Sequence, residues 1–293
     1  MIKALVKSMR LRTLPLSLAG VVCGSVLACA NTDQNIWSFV LLYLTTVSLQ
    51  VLSNLSNEMG DHLSGVDSEE REGPNYSMTD GGLTIKQMWQ AINGMVVACC
   101  IFGLLMVWTS HCPWWILLFG AAAIWAATHY TLGKNPYGYK GLGDLFVFIF
   151  FGLVSVLGGY FVIAHTIDFK FWLIGPAVGI GLLSVAVLNV NNIRDMASDE
   201  GIRKTIPLRI GERRAKWYQT ILVCLGAVCF LWTFSSALFL IWFLFAVPLI
   251  GLGIHLAIVW RSHGKSLDPA LPLLVFSTFF LSIIYSIIIN GVG

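Results

Sequence analysis

The stretch NLSNEMGDHLSGVD, residues 54–67, closes a run of about 20 apolar residues, the length at which a helix spans a bilayer. A second stretch, NNIRDMASDEGIRK at residues 191–204, closes another such run. Carboxylates at the end of a membrane helix are costly unless something binds them, so they mark function by default. Both stretches mix acids with Asn and with Arg or Lys nearby, which points to divalent metal holding a polyanion.

The rest of the chain is the setting for these two stretches. Of 293 residues, 57% are hydrophobic and 11% charged, against about 25% charged in a soluble domain. Mean hydropathy is +0.77. This composition excludes a soluble globular enzyme and predicts an all-α integral membrane protein, a single domain over 1–293 in contact with membrane lipids. The net charge of +3 gives no reason to expect a nucleic-acid partner, and the oligomeric state is left open. Seven cysteines lie in or beside apolar segments with no C-x-x-C spacing, as small core hydrophobes do.

Nine apolar segments can be drawn, at 14–30, 37–56, 92–109, 114–132, 144–165, 171–190, 217–235, 237–259 and 270–290. The basic start MIKALVKSMRLRTLP reads as a short interfacial segment before a retained first helix, because no small-residue cleavage site follows it. Alternate loops then carry every Lys and Arg except Lys170. By the positive-inside rule those loops, and the amino terminus, face the cytoplasm, and an odd number of spans puts the carboxyl terminus outside. The cytoplasmic loops 57–91 and 193–216 are long for membrane connections and carry both acidic stretches. Their equivalent positions hint at a parallel repeat around a shared cavity.

If the second helix continues through Asp61, then Asn54, Asn57 and Asp61 recur at i, i+3 and i+7, with Glu58 one position off the stripe. In the second stretch Asn191, Asp195 and Asp199 recur at i, i+4 and i+8, with Asn192 beside them. Mg²⁺ takes one or two carboxylates together with substrate phosphates and waters. The expected metal donors are Asn57, Glu58, Asp61 and Asp67, facing Asn191, Asp195 and Asp199. Asn192, Arg71, Arg194, Lys134 and Lys140 would face the phosphate oxygens, which suit Arg forks. Glu69, Glu70 and Glu72 read as a solvated face. Asp144 opens the fifth span, where helix capping and a catalytic role compete. His129 reads as packing.

Three ordered motifs carry a resemblance over nearly the whole chain. Asn54 to Pro74 reads N-x-x-N-[D/E]-x-x-D-x-x-x-G-x-D-x-x-x-R-x-G-P, followed by GGLT at 81–84; YTLGKNPYGYKGLGD spans 130–144; and NN-x-RD occupies 191–195, with Asp199 beyond it. Together they resemble the UbiA superfamily of intramembrane prenyltransferases, and within it the naphthoate branch of menaquinone synthesis. Two positions depart from the family pattern: Glu58 stands where Asp is usual, and Asn75-Tyr76 where a basic residue is common. The resemblance implies nine helices around a cavity opening to the cytoplasmic side of the bacterial inner membrane. It implies that Mg²⁺ at Asn57, Asp61, Asp195 and Asp199 binds a polyprenyl diphosphate, helped by Arg71, Lys134 and Arg194. Asp61, Asp195 and Tyr130 would then be catalytic, with Tyr139 also near the leaving group, and 1,4-dihydroxy-2-naphthoate would be the acceptor. Another aromatic acceptor such as 4-hydroxybenzoate is the alternative within the family. A transporter is the alternative outside it, although its charges would not all gather on one side.

Overall fold

The computed structural model describes residues 1–29, 35–65, 76–234 and 239–292. Among these the chain is helical throughout. In chain order the elements are α1 (Ile2–Ser8), α2 (Leu14–Cys29), α3 (Ile36–Ser64), α4 (Ile85–Thr109), α5 (Ile116–His129), α6 (Gly143–Ala164), α7 (Phe171–Arg194), α8 (Ile206–Ile210), α9 (Glu212–Leu231), α10 (Phe239–Arg261) and α11 (Ala270–Val292).

Local chemistry sets the ends that matter for the site. The Asn35 side chain accepts the Trp37 N–H at 3.1 Å and starts α3. That helix does not stop at the last apolar residue. It runs on through the whole of 57–64 and closes at Gly65 in the left-handed conformation, φ 75°, where an L side chain would be strained. A capping box starts α4: Thr84 Oγ1 accepts the Gln87 N–H at 3.3 Å, and Gln87 Oε1 accepts the Thr84 N–H at 3.0 Å. Inside α6, residues Phe148–Val154 form a π-helical segment against α7. Gly152 makes that contact possible, since a Cβ there would lie 2.6 Å from the Ala177 carbonyl oxygen. Small residues at such crossings let membrane helices pack backbone to backbone.

Each of the nine expected spans corresponds to a helix, but among the described residues seven helices are long and apolar enough to cross a membrane. The fourth, α5, has 14 residues, roughly 21 Å at 1.5 Å per residue against a core of about 30 Å. The seventh, α9, spends its first turns on ERRAKWYQ, so the charges expected in the preceding connection lie on the helix itself. The connections are correspondingly shorter than the expected loops, because α3, α4, α8 and α9 all extend into them.

One apolar core unites α2, α6, α7, α9, α10 and α11, and a second unites α3, α4, the 78–83 turn and α5. Between them lies a cavity of about 810 Å³, walled by α2 to α6. The end of α3 and the connections after α5 and α7 meet: Lys204 donates its backbone N–H to the Tyr139 carbonyl at 3.0 Å, and the Tyr139 hydroxyl reaches Asp61. All seven cysteines are free thiols.

Candidate active site

Because α3 stays helical through Asp61, the predicted stripe exists, but its members face different neighbours. Asn54 is buried and donates to the Met9 carbonyl at 2.8 Å and to Thr13 Oγ1 at 3.0 Å, which ties the amino-terminal segment to α3. Asn57 lines the large cavity, and its Oδ1 accepts from Thr131 Oγ1 at 3.3 Å. Glu58 is wholly buried, and its Oε1 accepts the Met78 N–H at 2.9 Å. It holds the turn before α4. Asp61 faces the second acidic stretch through Arg203. It accepts the Tyr139 hydroxyl at 2.9 Å and pairs with Nη2 of Arg203. Gly60 lets this helix close on the 131 segment, since a Cβ would sit 2.5 Å from Thr131.

The second stretch divides in the same way. Asn191 donates back to the Val187 carbonyl at 3.0 Å, and Asn192 lines a small polar pocket with Tyr130, Tyr139, Asp144 and Arg203. Arg194, expected to hold phosphate, uses its guanidinium elsewhere. Nε and Nη2 grip Asp195 at 2.7 and 2.8 Å, and Nη1 reaches Asp268 at 2.8 Å. The bidentate grip takes Asp195 as well, so this pair joins the end of α7 to the connection between α10 and α11. Asp199, wholly buried after the one-turn helix Met196–Asp199, faces the site, with Oδ1 3.5 Å from Nε of Arg203.

Arg203 is thus the meeting point of the two stretches. Its side chain is 11% exposed and pairs with both Asp61 and Asp199. Its guanidinium also lies over the Tyr139 ring, 4.8 Å from the centroid. Burial works against its charge, but Asp61 and then Asp199 outweigh it and hold its pKa well above the ordinary value. Burial first, and the charge of Asp61 second, push the Tyr139 hydroxyl up to about 12, so at neutral pH it is a hydrogen-bond donor. Nothing in the apolar periodicity marks Arg203. The signal available was its i+4 spacing from Asp199, the spacing of a helical ion pair.

Tyr130 stands on the boundary, lining both the polar pocket and the large cavity. The glycines of YGYKGLGD explain how it is held: a Cβ at Gly138 or Gly143 would lie 2.6 Å from the Tyr130 carbonyl or 2.9 Å from its hydroxyl. At Gly141, φ is +83° and a Cβ would lie 2.5 Å from the Lys204 carbonyl, so this turn is laid directly on the segment bearing Arg203. From Tyr130 an aromatic row descends the cavity wall, with Tyr137 on Phe146 at 4.0 Å and Phe146 on Phe150 at 6.2 Å. Lys134 and Lys140 are exposed at the rim. Asp144, in the first turn of α6, accepts the Tyr218 hydroxyl at 3.0 Å. His129 is exposed and stacks on Trp125. Asp67 and Arg71, with Gly73, Pro74 and Asn75, lie outside the described residues, as do Asp33, Glu69, Glu70 and Glu72.

Among the described residues no three His, Cys, Asp or Glu side chains stand close enough to hold an ion by themselves. Two acids here converge on one cation, the Arg203 guanidinium, and carboxylates are the donors that a divalent ion uses together with phosphate oxygens. A polar mouth of this kind over a long apolar cavity suits an amphiphile with an anionic head and a hydrocarbon tail, handled within the membrane.

The profile of the UbiA prenyltransferase family matches residues 17–284, and the chain belongs to that family. It is therefore a multi-pass membrane prenyltransferase. It is 38% identical over 290 residues to the 1,4-dihydroxy-2-naphthoate octaprenyltransferase of Haemophilus influenzae, covering 95% of this chain and 92% of that one. It is also 38% identical over 257 residues to the Escherichia coli enzyme of the same name, covering 85% and 82%. Among solved structures, a UbiA homolog from Aeropyrum pernix superposes with a TM-score of 0.70 at 14% identity, covering 97% and 98% of the two chains. A homolog from Archaeoglobus fulgidus, bound to GPP and Mg²⁺, superposes with a TM-score of 0.63 at 15% identity, covering 98% and 99%. At these identities the superpositions establish the shared fold.

Proposed function

We propose that this chain transfers a polyprenyl group from its diphosphate to 1,4-dihydroxy-2-naphthoate, with loss of the carboxylate as carbon dioxide, in menaquinone synthesis. The observation that carries the reaction is the convergence of Asp61 and Asp199 on one cation at the mouth of an apolar cavity. The choice of acceptor is supported by the named relatives and by NN-x-RD at 191–195. Asp61 and Asp199, with Asn57 one turn away, would hold Mg²⁺, which supplies Lewis-acid neutralisation of the departing diphosphate.

The protein's own groups do the remaining work. Tyr139, held protonated, donates a hydrogen bond at the carboxylate level, and Lys134 and Lys140 at the rim offer charge to the anionic head. The carbon–oxygen bond of the prenyl diphosphate breaks with its electron pair leaving on the diphosphate. The allylic cation left behind lies beside the faces of Tyr130, Tyr137 and Phe146, which stabilise positive charge. The electron-rich ring of the acceptor supplies the pair for the new carbon–carbon bond, and the carboxylate leaves as carbon dioxide. The tail lies along the apolar cavity, where water is excluded and the cation is not quenched. The basic connections support a reading in which this mouth and the amino terminus face the cytoplasmic side of a bacterial plasma membrane, with the carboxyl terminus outside.

Mass spectrometry of products from the purified protein with Mg²⁺, prenyl diphosphates of several lengths and a panel of aromatic acids tests the reading. Demethylmenaquinol, with one carbon dioxide released per prenyl group, is the expected result. A prenylated 4-hydroxybenzoate that keeps its carboxylate would overturn the acceptor assignment.

A further inference from the structure

The large cavity runs well past its aromatic row. Asn57 and Tyr130 line one end of it, and its walls continue to Leu42 on α3 and to Ile167 and Phe169 beyond α6. Gly103, Gly120 and Gly158 line that deeper part from α4, α5 and α6, each within about two turns of the far end of its helix. A Cβ added at any of the three would meet nothing within 4 Å among the described residues. Gly60 and Gly152 are different, because neighbouring chain fills the space beside them. Helix packing thus gives no reason for glycine at 103, 120 or 158, and glycine inside a helix is otherwise destabilising. On α3 the deep wall is also chemically plain. The Thr45 and Thr46 hydroxyls bond back to the Leu41 and Leu42 carbonyls at 2.7 and 3.0 Å, which leaves them no call on a polar ligand.

We infer that Gly103, Gly120 and Gly158 determine prenyl chain length, by keeping open the part of the cavity that the fourth isoprene unit and those beyond it enter. This rests on the prenyl-transfer reading above and names which part of the tail the protein reads. The argument is one of depth. Gly120 lies ten residues before Tyr130, about 15 Å along α5 at 1.5 Å per residue. An extended isoprene unit, with four carbon–carbon bonds of about 1.5 Å each, spans about 5 Å. With the reacting carbon beside Tyr130, a geranyl tail of two units ends short of the glycines, and a geranylgeranyl tail of four units passes them. A side chain at this depth takes the space of the fourth unit and leaves the rest of a long tail without its apolar contacts, which hold it in proportion to the area buried. A short tail loses nothing by it.

Competition between two tails tests this in the purified full chain. Equimolar geranyl and geranylgeranyl diphosphates are supplied with Mg²⁺ and 1,4-dihydroxy-2-naphthoate, and the ratio of long to short product is read by mass spectrometry. That ratio reports relative kcat/KM for the two tails. In Gly120→Leu and Gly158→Leu it should fall at least about fivefold from that of the unmodified protein. Gly94→Leu is the control, since Gly94 is exposed on α4, open at its Cβ position and outside the cavity wall; there the ratio should hold. Thermal melting identifies the folded variants, and Gly103→Leu carries the test if the other two do not fold. A smaller shift in every folded cavity variant overturns the inference, because the tail then leaves the cavity before this depth. An equal fall in Gly94→Leu overturns it as well. If the unmodified protein forms neither product, the prenyl-transfer reading itself fails, and the inference with it.

Discussion

The end of α3 and the end of α7 both carry Asn and acidic residues at helical spacing, and the carboxylates at each end meet two different kinds of partner. In the first, Glu58 turns to the Met78 N–H while Asp61 turns to Arg203. In the second, Asp195 is gripped by Arg194 while Asp199 turns to Arg203. Each end thus has one acid that braces a neighbouring connection and one that faces the site. What separates them is the group standing opposite each acid: a backbone donor at 78, a guanidinium anchored to Asp268, or the single arginine between the two ends. Similar residues at similar spacing therefore do not imply equal roles.

The difference predicts a hierarchy among substitutions. The largest effect belongs to the facing pair. Asp61→Asn or Asp199→Asn should lower kcat by about a thousandfold, the scale of losing one strong electrostatic stabiliser in a dry site, while the protein inserts and melts as a folded species. Activity within tenfold of normal in either variant would place the metal elsewhere.

Next comes the brace on the second stretch. Arg194→Ala leaves Asp195 buried without its forked partner, a loss on the order of 3–5 kcal/mol when one member of a buried pair is removed. The melting temperature should fall steeply, and the folded fraction should keep its KM for the prenyl diphosphate. A raised KM at normal stability would return Arg194 to the phosphate-binding role expected of it from sequence.

Gly60→Ala probes the contact between α3 and the segment that carries Tyr130. Its Cβ would meet Thr131 at 2.5 Å, so a loss of about 1–3 kcal/mol is expected from overpacking. Unchanged melting would mean that the two segments do not touch.

The smallest and sharpest test lies at Glu58. As a brace it needs an acceptor of the right length for the Met78 N–H, so Glu58→Gln should keep most activity and Glu58→Asp should lose more. A metal ligand would show the reverse order, Asp above Gln. Steady-state kinetics of the two variants separate these readings directly.

The spans were legible because lipid imposes one requirement on long runs of residues, and α2, α3, α4, α6, α7, α10 and α11 meet it. The shortness of α5 was not, since the 114–132 run stays apolar past His129, where the helix ends. The i, i+4 spacing of Asn57 with Asp61 and of Asp195 with Asp199 is legible from sequence alone. The contacts of Glu58 and Arg194 were not, since Met78 and Asp268 meet them only in the folded chain, 20 and 74 residues away. The burial of Arg203 was not legible for the same reason: the 137–141 turn meets its segment only in the folded chain.

The central claim is that Asp61 and Asp199 act on one cation as a unit, and a double-mutant cycle measures that most directly. With kcat/KM for prenyl transfer determined for Asp61→Asn, Asp199→Asn and the double variant, the account predicts strong non-additivity, the double variant being little worse than either single one. If the two losses simply multiply, the residues act independently, and the shared site described here does not exist.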